Sequence, residues 1–481
     1  MDYPRELALF VAGEWRGAAG RDTVGVVNPA SGETLARLPV ATAADIDDAI
    51  GAAQAAFPAW AAQSPWQREA VLRRAAALIT DRRDRIAALL TLENGKPLAD
   101  SQGELDRVIE TMIFCAEEGK RTYGRLMPSR AAGLEQFHVK RPVGPVGAFV
   151  PWNFPAVLAM RKVAAALAAG CTVVLKPAEE CPAACIELVR AMIDAGLPAG
   201  ALNLLYGVPS QISERVIDAE PIRKISFTGS VAVGRMLAAR AGERLKPATM
   251  ELGGHAPVIV FDDVDVAKVA AACVGFKFRN AGQVCLSPSR FYVHERILPE
   301  FAERFAAAAR ALKVGDGLAA GTQMGPLNNP RRLQAAQSLV EDALDRGAHA
   351  LAGGRRLGER GFFFAPTVLT DIDPAARLLH EEPFCPIAPL MPWRELDDVI
   401  TRANATPFGL AAYAFTNRLD RAHAFAERLE AGWIGINSFT PALADAAVGG
   451  IKHSGLGYEG GPEGLDAYLQ ARFVSRSNLA T

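Results

Sequence analysis

Two residues of this chain could together carry out covalent chemistry at a carbonyl carbon. Cys285 ends the segment 278–285 (FRNAGQVC), and Glu251 begins the segment 251–257 (ELGGHAP) upstream of it. A thiol attacks a carbonyl well only as the thiolate, its free pKa is about 8.5, and such sites usually add a group that activates water. The pair therefore predicts acyl chemistry through a thioester. The structural alternative for Glu251 is a buried carboxylate that caps a helix.

The length and composition are typical of a globular protein with more than one lobe. The 481 residues exceed the roughly 250 to 300 at which one hydrophobic core stops growing, so we expect two large lobes and a small appendage. Half of the residues are hydrophobic, 22% are charged and the formal net charge is -1. This balance favours a soluble protein and does not indicate a nucleic acid partner.

Neither a membrane span nor a metal site is expected. The longest weakly polar run, residues 163–175, is shorter than the ~20 apolar residues that a spanning helix needs. The N-terminal segment has acidic residues and lacks the layout of a secretion signal, so we expect a cytoplasmic location. Seven cysteines without CxxC spacing are expected to stay reduced, and seven histidines without an HExxH pattern predict no catalytic metal.

The elements that must position the thiol and the carboxylate alternate along the chain. From about residue 144, strand-like segments alternate with helical ones, which predicts a parallel sheet, and a second alternating half begins at residues 256–261. Strands of the first half end in polar turn segments at 151–155, 176–180 and 228–230. Because ligands bind beyond the carboxyl ends of parallel strands, these segments predict one crevice.

The flanking segments are expected to be scaffold. Thr42 and Ser64 each stand three residues before an acidic or amide side chain, which is the pattern of a capped helix start. Near the C-terminus, residues 468–474 are typical of a lone strand that could pair with the span 124–142. A protruding strand pair leaves open edges, so we expect a homo-oligomer, either a dimer or a tetramer.

Seven motifs, in order along the chain, resemble the motif set of the NAD(P)-dependent aldehyde dehydrogenases. They are PWNFP at 151–155, KPAE at 176–179, FTGS at 227–230, ELGG at 251–254, GQVC at 282–285, EEPF at 381–384 and GGIKHSG at 449–455. The resemblance covers nearly the whole chain. The segments around Glu251 and Cys285 look most like those of dehydrogenases acting on succinate semialdehyde or α-ketoglutarate semialdehyde.

This resemblance implies a fold and a reaction. The fold is α/β, aldehyde dehydrogenase-like, with a Rossmann-type dinucleotide domain, a second α/β catalytic domain and a small β oligomerisation arm. The implied bounds are 1–123 and 143–250 for the NAD-binding domain, 251–445 for the catalytic domain, and 124–142 with 465–481 for the arm. The implied reaction is oxidation of a small-molecule aldehyde to the carboxylic acid.

The resemblance also implies catalytic roles. Cys285 would attack the aldehyde carbon, and Asn153 with the backbone N–H of Cys285 would stabilise the oxyanion. Hydride transfer to the cofactor would leave a thioester, for whose hydrolysis Glu251 would activate water. Lys162 and Glu459 would relay protons toward Glu251. Lys162 could instead be solvated on a helix surface, and Asn153 could be an ordinary turn residue.

The implied cofactor is NAD, with NADP the less favoured alternative. Lys176 and Glu179 follow a strand and should meet the adenosine ribose, where the Glu179 carboxylate would accept from both hydroxyls and disfavour a 2′-phosphate. Thr228, Gly229 and Ser230 stand at a strand-to-helix turn whose backbone donors could face the pyrophosphate. The other residues assigned to the cofactor are Trp152, Leu252, Glu382 and Phe384.

Two arginines indicate the substrate. Arg161 follows the Asn153 loop and Arg279 precedes Cys285, so both would face the substrate funnel. Two guanidinium groups near a thiol favour an aldehyde with a remote carboxylate, which arginine binds bidentately, and succinate semialdehyde is the first candidate. α-Ketoglutarate semialdehyde and a broad range of aldehydes are the alternatives. For each arginine, a surface charge is the structural alternative.

Several positions depart from the pattern of the family. Ala442 and Leu443 stand where succinate semialdehyde enzymes place a serine, which leaves the exact acid open. Cys385, Val448 and Tyr458 replace a usual glycine, phenylalanine and arginine, and these changes bear on the geometry of the cofactor loop. The same thiol and carboxylate could also serve a different class of enzyme, an esterase that needs no cofactor.

Overall fold

Strands and helices alternate through most of the chain in the computed structural model, which describes residues 3–439 and 443–477. The strands of these residues are β1 (Leu9–Val11), β2 (Glu14–Arg16), β3 (Thr23–Val27), β4 (Thr34–Pro39), β5 (Arg125–Met127), β6 (Leu134–Pro142), β7 (Val146–Phe149), β8 (Val173–Lys176), β9 (Leu202–Leu204), β10 (Lys224–Thr228), β11 (Ala248–Glu251), β12 (Ala256–Val260), β13 (Pro288–His294), β14 (His349–Ala352), β15 (Thr367–Thr370), β16 (Ile387–Trp393), β17 (Ala411–Phe415), β18 (Trp433–Ile436), β19 (Gly455–Leu456) and β20 (Leu469–Ser477). The α-helices are α1 (Ala43–Ala62), α2 (Pro65–Asp81), α3 (Arg83–Asn94), α4 (Leu98–Glu118), α5 (Pro155–Ala169), α6 (Pro182–Asp194), α7 (Pro209–Asp218), α8 (Val231–Glu243), α9 (Val266–Lys277), α10 (Leu298–Ala311), α11 (Pro330–Asp345), α12 (Leu396–Asn404), α13 (Leu419–Arg428) and α14 (Gly461–Asp466).

The first large sheet contains eight strands in the order β19-β11-β10-β7-β8-β9-β1-β2. Its central strands, from β11 to β9, run parallel, as the alternation of strands and helices predicts. Both edges are antiparallel, because the β1–β2 hairpin adds to β9 and the short β19 adds to β11. The sequence pattern does not indicate β19, which joins this sheet from near the C-terminus.

The second large sheet contains seven strands in the order β14-β15-β16-β13-β12-β17-β18. All of its pairs are parallel except β14 with β15. The loop that leads into β13 carries Cys285, and the preceding β11 of the first sheet ends at Glu251. The thiol and the carboxylate are therefore delivered by different sheets.

A separate antiparallel sheet joins distant parts of the chain in the order β20-β6-β5. Its register runs from Leu469 opposite Pro142 to Ser477 opposite Leu134, which confirms the predicted pairing of the C-terminal strand with the span 124–142. The strand extends further than predicted, to Ser477, and β5 adds a third strand from within the same span. Residues 478–481 of the predicted arm lie outside the described residues.

Two helices, α1 and α2, begin where the sequence indicates. Thr42 accepts a hydrogen bond from the Asp45 N–H (3.2 Å) and Ser64 accepts one from the Gln67 N–H (3.3 Å), and both predicted capping boxes are confirmed. The Ala-rich α5 is buried over most of its surface, which suits its small side chains. Among the described residues, no helix combines the length and the apolar character that crossing a membrane requires.

Candidate active site

Cys285 lies in a loop with a constrained backbone. Asn280 and Ala281 both adopt left-handed conformations (φ 47° and 52°), and Gly282 follows with φ 72°. A side chain at Gly282 would collide with the carbonyl oxygen of Cys385, so this turn requires glycine. Left-handed backbone at residues other than glycine is uncommon and clusters at functional sites, where the surrounding structure holds it. The strained turn therefore fixes the direction in which Cys285 is presented.

The electrostatic surroundings of Cys285 favour the neutral thiol. Burial, which is the largest cause, and the negative charges of Glu251 and Glu382 together raise the pKa of Cys285 to about 12, and Arg161 opposes them. The thiol therefore holds its proton at neutral pH in this arrangement. Formation of the thiolate needs positive charge brought close to the sulfur.

Glu251 ends β11 as a buried carboxyl group and caps no helix, so the structural alternative does not apply. Its Oε1 is buried and has no hydrogen-bond partner among the described residues. Burial raises the pKa of Glu251 well above its ordinary value, Glu459 raises it further, and Lys162 and Arg161 lower it. A carboxyl group in this state is a stronger proton acceptor than an exposed carboxylate.

Lys162 is fully buried on α5, so the alternative of a solvated helix lysine is wrong. Its ammonium group donates to Thr228 Oγ1 (2.8 Å) and Ser226 Oγ (3.2 Å), and it forms a short ion pair with Glu459. The second carboxylate oxygen of Glu459 is buried and has no partner among the described residues. The structure thus brings Lys162 and Glu459 together, and both influence the pKa of Glu251.

Asn153 is buried, and both its side chain and its backbone carbonyl form hydrogen bonds. Its Nδ2 donates to the Gln283 carbonyl (3.1 Å), while its own backbone carbonyl accepts from Lys96 Nζ (2.7 Å) and Asn280 Nδ2 (3.0 Å). These bonds tie the Asn153 loop to the loop that carries Cys285. A solvated turn residue would not be fixed in this way.

A buried ion pair that the sequence analysis missed supports this arrangement. Lys96 Nζ lies 2.7 Å from Glu104 Oε2, and both side chains are fully buried. The other oxygen of Glu104 accepts from the backbone N–H groups of Ala156 (2.9 Å) and Val157 (3.1 Å), which are free donors at the start of α5. Sequence reasoning missed the pair because its partners, the start of α5 and the Asn153 carbonyl, are distant in the chain.

A cleft between the two large sheets brings together most of the residues predicted to bind the cofactor. Its lining includes Arg332, Leu158 and Gly253, which were not predicted. The predicted residues in the lining are Trp152, Asn153, Thr228, Gly229, Ser230, Leu252, Cys285, Glu382 and Phe384. The polar turn segments therefore do converge on one crevice.

The loop with Glu382 and Phe384 closes one side of this cleft. Glu382 accepts from the Gly254 N–H (3.0 Å), and burial raises the pKa of Glu382 to about 7. Phe384 meets Trp152 edge to face, with ring centroids 5.7 Å apart, and its carbonyl accepts from Arg332 (3.1 Å). Cys385 is fully buried and is not among the residues that line the cleft, so its replacement of glycine adds no thiol there.

The remaining predicted cofactor residues stand at the ends of neighbouring strands. Lys176 is the last residue of β8 and forms an ion pair of 2.7 Å with Glu179, which also accepts from the Gly207 N–H (3.0 Å). Ser230 caps α8 by accepting from the Val233 N–H, which confirms a strand-to-helix turn after Thr228. Backbone donors, a paired carboxylate and a deep cleft form a set that fits a dinucleotide.

A second cavity meets the cleft at Cys285 and Leu158, which line both. Arg161 and Arg279 line it and are only partly exposed, so neither is a plain surface charge. Arg279 lies 3.7 Å from Asp100 and its guanidinium stacks over the Phe154 ring at 5.4 Å. The full lining is Arg107, Phe154, Val157, Leu158, Arg161, Phe276, Arg279, Val284, Cys285 and Leu286. Arg107, from α4, was not predicted.

The loop that departs from the family pattern borders this second cavity. Phe439 stacks on Phe276, which lines the cavity, at 4.9 Å between ring centroids. Ala442 lies outside the described residues, and Leu443 is exposed. Val448 is another position that departs from the family pattern, and it exchanges backbone hydrogen bonds with Glu459 (2.7 and 2.8 Å), so this segment holds Glu459 in place.

Within the described part of the chain, no three histidine, cysteine or acidic side chains gather as they would around a metal ion.

Comparison with known proteins gives one consistent result. Residues 15–474 match the model of the aldehyde dehydrogenase family. The chain is 45% identical over 469 residues to a 4-(hydroxymethyl)benzenesulfonate dehydrogenase of Comamonas testosteroni, covering 97% of each. It is 40% identical over 470 residues to the NADP(+) succinate-semialdehyde dehydrogenase of Escherichia coli K12, covering 98% of this chain and 97% of that one. The crystal structure of succinate-semialdehyde dehydrogenase from Burkholderia pseudomallei matches with a TM-score of 0.96 at 41% identity, over 98% of each chain. The predicted α/β fold class is confirmed.

Proposed function

The chain belongs to the aldehyde dehydrogenase family, whose members are oxidoreductases that use nicotinamide dinucleotides, and from this premise we propose that it oxidises aldehydes carrying a remote anionic group. The observation that carries this proposal is the position of Cys285 between a polar cleft and a cavity lined by Arg161 and Arg279. Succinate semialdehyde, the candidate from the sequence, is the carboxylate member of this substrate class. The substrates in the names of two relatives, 4-(hydroxymethyl)benzenesulfonate and succinate semialdehyde, each carry an anionic group remote from the carbon that would react.

Cys285 is the proposed nucleophile. The thiol first gives up its proton to water, and the thiolate sulfur then bonds to the aldehyde carbon. The carbon–oxygen π bond breaks in the same step, and the carbonyl oxygen becomes an oxyanion that Asn153 Nδ2 and the Cys285 N–H stabilise. A nicotinamide dinucleotide held by the cleft residues would supply the acceptor for the hydride that leaves this adduct, and Cys285 would then carry a thioester. The arginines hold the far end of the substrate, so its carbonyl carbon stays in reach of the sulfur.

Glu251 is the proposed base for the second half of the reaction. Its unpartnered carboxylate oxygen takes a proton from water, whose oxygen attacks the thioester carbon. The carbon–sulfur bond then breaks, the sulfur leaves as thiolate and the acid is released. Lys162 and Glu459 form a hydrogen-bonded chain beside Glu251, through which the proton is relayed away.

NAD is the proposed cofactor, held by the cleft residues together with Lys176 and Glu179. The Glu179 carboxylate offers acceptors to ribose hydroxyls and repels a 2′-phosphate. We expect kcat/KM to be at least about tenfold higher with NAD than with NADP, because one unfavourable charge contact costs on the order of 1.4 kcal/mol. Glu179→Gln should narrow that difference. A higher kcat/KM of the unaltered enzyme with NADP would contradict the assignment of Glu179.

The reaction is tested by following reduced nicotinamide with succinate semialdehyde, α-ketoglutarate semialdehyde and butanal. We expect both anionic aldehydes to react with higher kcat/KM than butanal. Cys285→Ala should lower turnover by about a thousandfold or more, because it removes the nucleophile. The control Cys273→Ala changes a buried cysteine of α9 and should leave turnover unchanged. Equal or higher kcat/KM for butanal would contradict the substrate class.

The role of Glu251 has its own signature. In Glu251→Gln, the thioester should form and persist, so reduced cofactor should appear as a burst stoichiometric with active sites and then nearly stop. Undiminished steady turnover would show that another group activates water. Ester cleavage with no reduced cofactor from any aldehyde would instead favour the esterase alternative.

A further inference from the structure

The cavity beside Cys285 contains a third arginine to which the proposed reaction assigns no role. Arg107, on α4, lines this cavity together with Arg161 from α5 and Arg279 from the turn before Cys285. We propose that Arg107 is a third anion-binding group and that the preferred substrate is an aldehyde whose remote group is a sulfonate rather than a carboxylate. The inference rests on the proposed function, because it specifies the substrate of the same site.

The position of Arg107 follows from the packing of α4 against α5. Glu104 of α4 binds the N–H groups at the start of α5, including that of Val157, and is itself paired with the buried Lys96. Arg107 lies one turn beyond Glu104 on α4, and Arg161 lies one turn beyond Val157 on α5. The buried Glu104 contacts thus fix the relative placement of the helices that carry both guanidinium groups.

One polar atom of the Arg107 guanidinium group is not satisfied by the described residues. Its Nη2 is buried and has no hydrogen-bond partner among the described residues, and no described carboxylate forms an ion pair with it. Burial lowers the pKa of Arg107, and the like charges of Arg279 and Arg161 lower it further, with Glu104 and Asp100 opposing. A buried donor in a field of like charge is costly unless an anion contacts it.

The geometry of the anion follows from the number of guanidinium groups. A carboxylate has two oxygens in one plane, and a single arginine can engage both of them. Three guanidinium groups carried by three separate segments offer more donors, from more directions, than one carboxylate can accept. A sulfonate presents three oxygens in a pyramidal arrangement, enough for each arginine to contact one. The rest of the lining is apolar, including Phe154 and Phe276, and suits the carbon skeleton.

Two aldehydes of equal length separate these possibilities. In 3-sulfopropanal and succinate semialdehyde, the same two-carbon spacer joins the aldehyde to a sulfonate or to a carboxylate, and butanal is the uncharged reference. For the unaltered enzyme we expect kcat/KM with 3-sulfopropanal to exceed that with succinate semialdehyde by about tenfold, the value of one additional charge-assisted hydrogen bond. Preference for succinate semialdehyde would overturn the inference.

Arg107→Gln tests the residue itself. With 3-sulfopropanal it should lower kcat/KM by about ten- to a hundredfold, mainly through KM, because a contact to the remote end acts on binding. The loss with succinate semialdehyde should be about threefold or less, and butanal should be unaffected. Arg107→Lys should be intermediate, since lysine keeps the charge and loses the planar fork. The control Arg83→Gln removes a guanidinium that pairs with Asp106 at the surface, and it should change none of these values.

Inhibition by unreactive anions gives a second measurement that does not depend on turnover of the anionic substrates. Propane-1-sulfonate should inhibit butanal oxidation at lower concentration than butanoate does, and Arg107→Gln should remove that difference. If Arg107→Gln lowers kcat/KM equally for all three aldehydes, its role is structural and the inference fails. If butanal is oxidised but the sulfonate is neither oxidised nor inhibitory, this inference alone fails. If no aldehyde yields reduced cofactor, the proposed function fails.

Discussion

Glu251 is a buried carboxyl group with a second carboxylate, that of Glu459, near enough to act on it. Burial and the carboxylate of Glu459 both raise the pKa of Glu251, while Lys162 and Arg161 lower it. A base of this kind is a stronger proton acceptor than an exposed carboxylate. The proposed deacylation therefore depends on the balance of charge around one buried oxygen.

That balance predicts a pH dependence. The base must be deprotonated to accept a proton from water, so kcat should rise with pH through the raised pKa of Glu251 when deacylation limits the rate. Glu459→Gln removes a negative neighbour, lowers that pKa and should shift the rising limb to lower pH. Lys162→Met removes a positive neighbour and should shift it to higher pH. The measurement is a kcat–pH profile across the neutral range for the three proteins.

Glu382 provides the control for this experiment, because burial raises the pKa of this carboxyl group as well, to about 7. It accepts a hydrogen bond from the Gly254 N–H in the cleft proposed for the cofactor, whereas Lys162 and Glu459, the proposed relay, pair with each other. Glu382→Gln should therefore change the affinity for cofactor while leaving the midpoint of the kcat profile in place. If the midpoint follows Glu382 and ignores Glu459, the titrating group is not Glu251.

Sequence motifs predicted the positions of individual site residues best where a residue lies at or next to the end of a strand. Asn153 and Cys285 lie in turns next to strands and Thr228 is the last residue of β10, and the structure brings all three to one cleft. Arg107 could not be predicted, because its neighbours in the chain do not indicate whether a helical arginine faces solvent or a cavity. The burial of Lys162 was equally hidden, since its partner Glu459 is remote in the sequence.

Among the elements, α4 and α5 form the support on which the active site is assembled. The Lys96–Glu104 pair joins the start of α5 to the Asn153 loop through four hydrogen bonds or ion-pair contacts, all of them buried. A buried pair of this kind adds little net stability, but loss of one partner leaves an uncompensated charge. Its value lies in the geometry that it imposes on Asn153.

Lys96→Met should therefore affect both stability and activity. We expect a loss of about 3–5 kcal/mol in the free energy of unfolding, because the Glu104 carboxylate loses its buried partner. We also expect kcat to fall, since the Asn153 carbonyl loses one of its two donors. Denaturant unfolding and steady-state kinetics measure the two effects.

A matched substitution at the surface distinguishes burial from charge. Arg83 pairs with Asp106, which is half exposed, and Arg83→Met should cost less than about 1 kcal/mol with no change in kcat. If Lys96→Met and Arg83→Met prove equally mild, Lys96 does not carry the support assigned to it.

The order of helices and strands along the chain could be predicted from the sequence, but which strands lie next to each other in the sheets could be predicted less well. Alternation of strand and helix predicted the parallel centre of the first sheet, because a crossover helix makes consecutive strands parallel. The spatial order β10-β7-β8-β9 does not follow the chain, and the two-residue β19 joins from beyond the second sheet. Such pairings depend on contacts between distant segments, so local sequence patterns do not predict them.

The described chain contains two largely parallel sheets that meet at the thiol, a three-stranded sheet that stands apart from them, and the antiparallel pair of β3 and β4. The cleft and the second cavity draw on residues from 107 to 384, so neither exists in one half of the chain alone. The separate sheet of β5, β6 and β20 contributes nothing to either lining. Its two edge strands are instead its notable feature, because each leaves one row of backbone groups unpaired within the described chain.

Two exposed apolar side chains on this sheet point to assembly of several copies. Leu126 is 76% exposed and Phe473 is 52% exposed, and the register places them in adjacent rows and thus on opposite faces. The sequence analysis predicted a homodimer or homotetramer formed through this arm. We expect the unaltered protein to sediment as such an oligomer, with these side chains buried at the contact.

Leu126→Glu combined with Phe473→Glu should weaken that assembly, because each change places a charge where an apolar contact is expected. The dissociation constant should rise by about tenfold or more, measured by sedimentation over a range of protein concentrations. The control is Leu419→Glu on α13, where the leucine is 85% exposed and lies outside the arm, and it should leave the oligomer intact. If the arm variant keeps its mass while the Leu419 variant dissociates, the contact lies elsewhere on the molecule, and the open edges of β5 and β20 must be protected in another way.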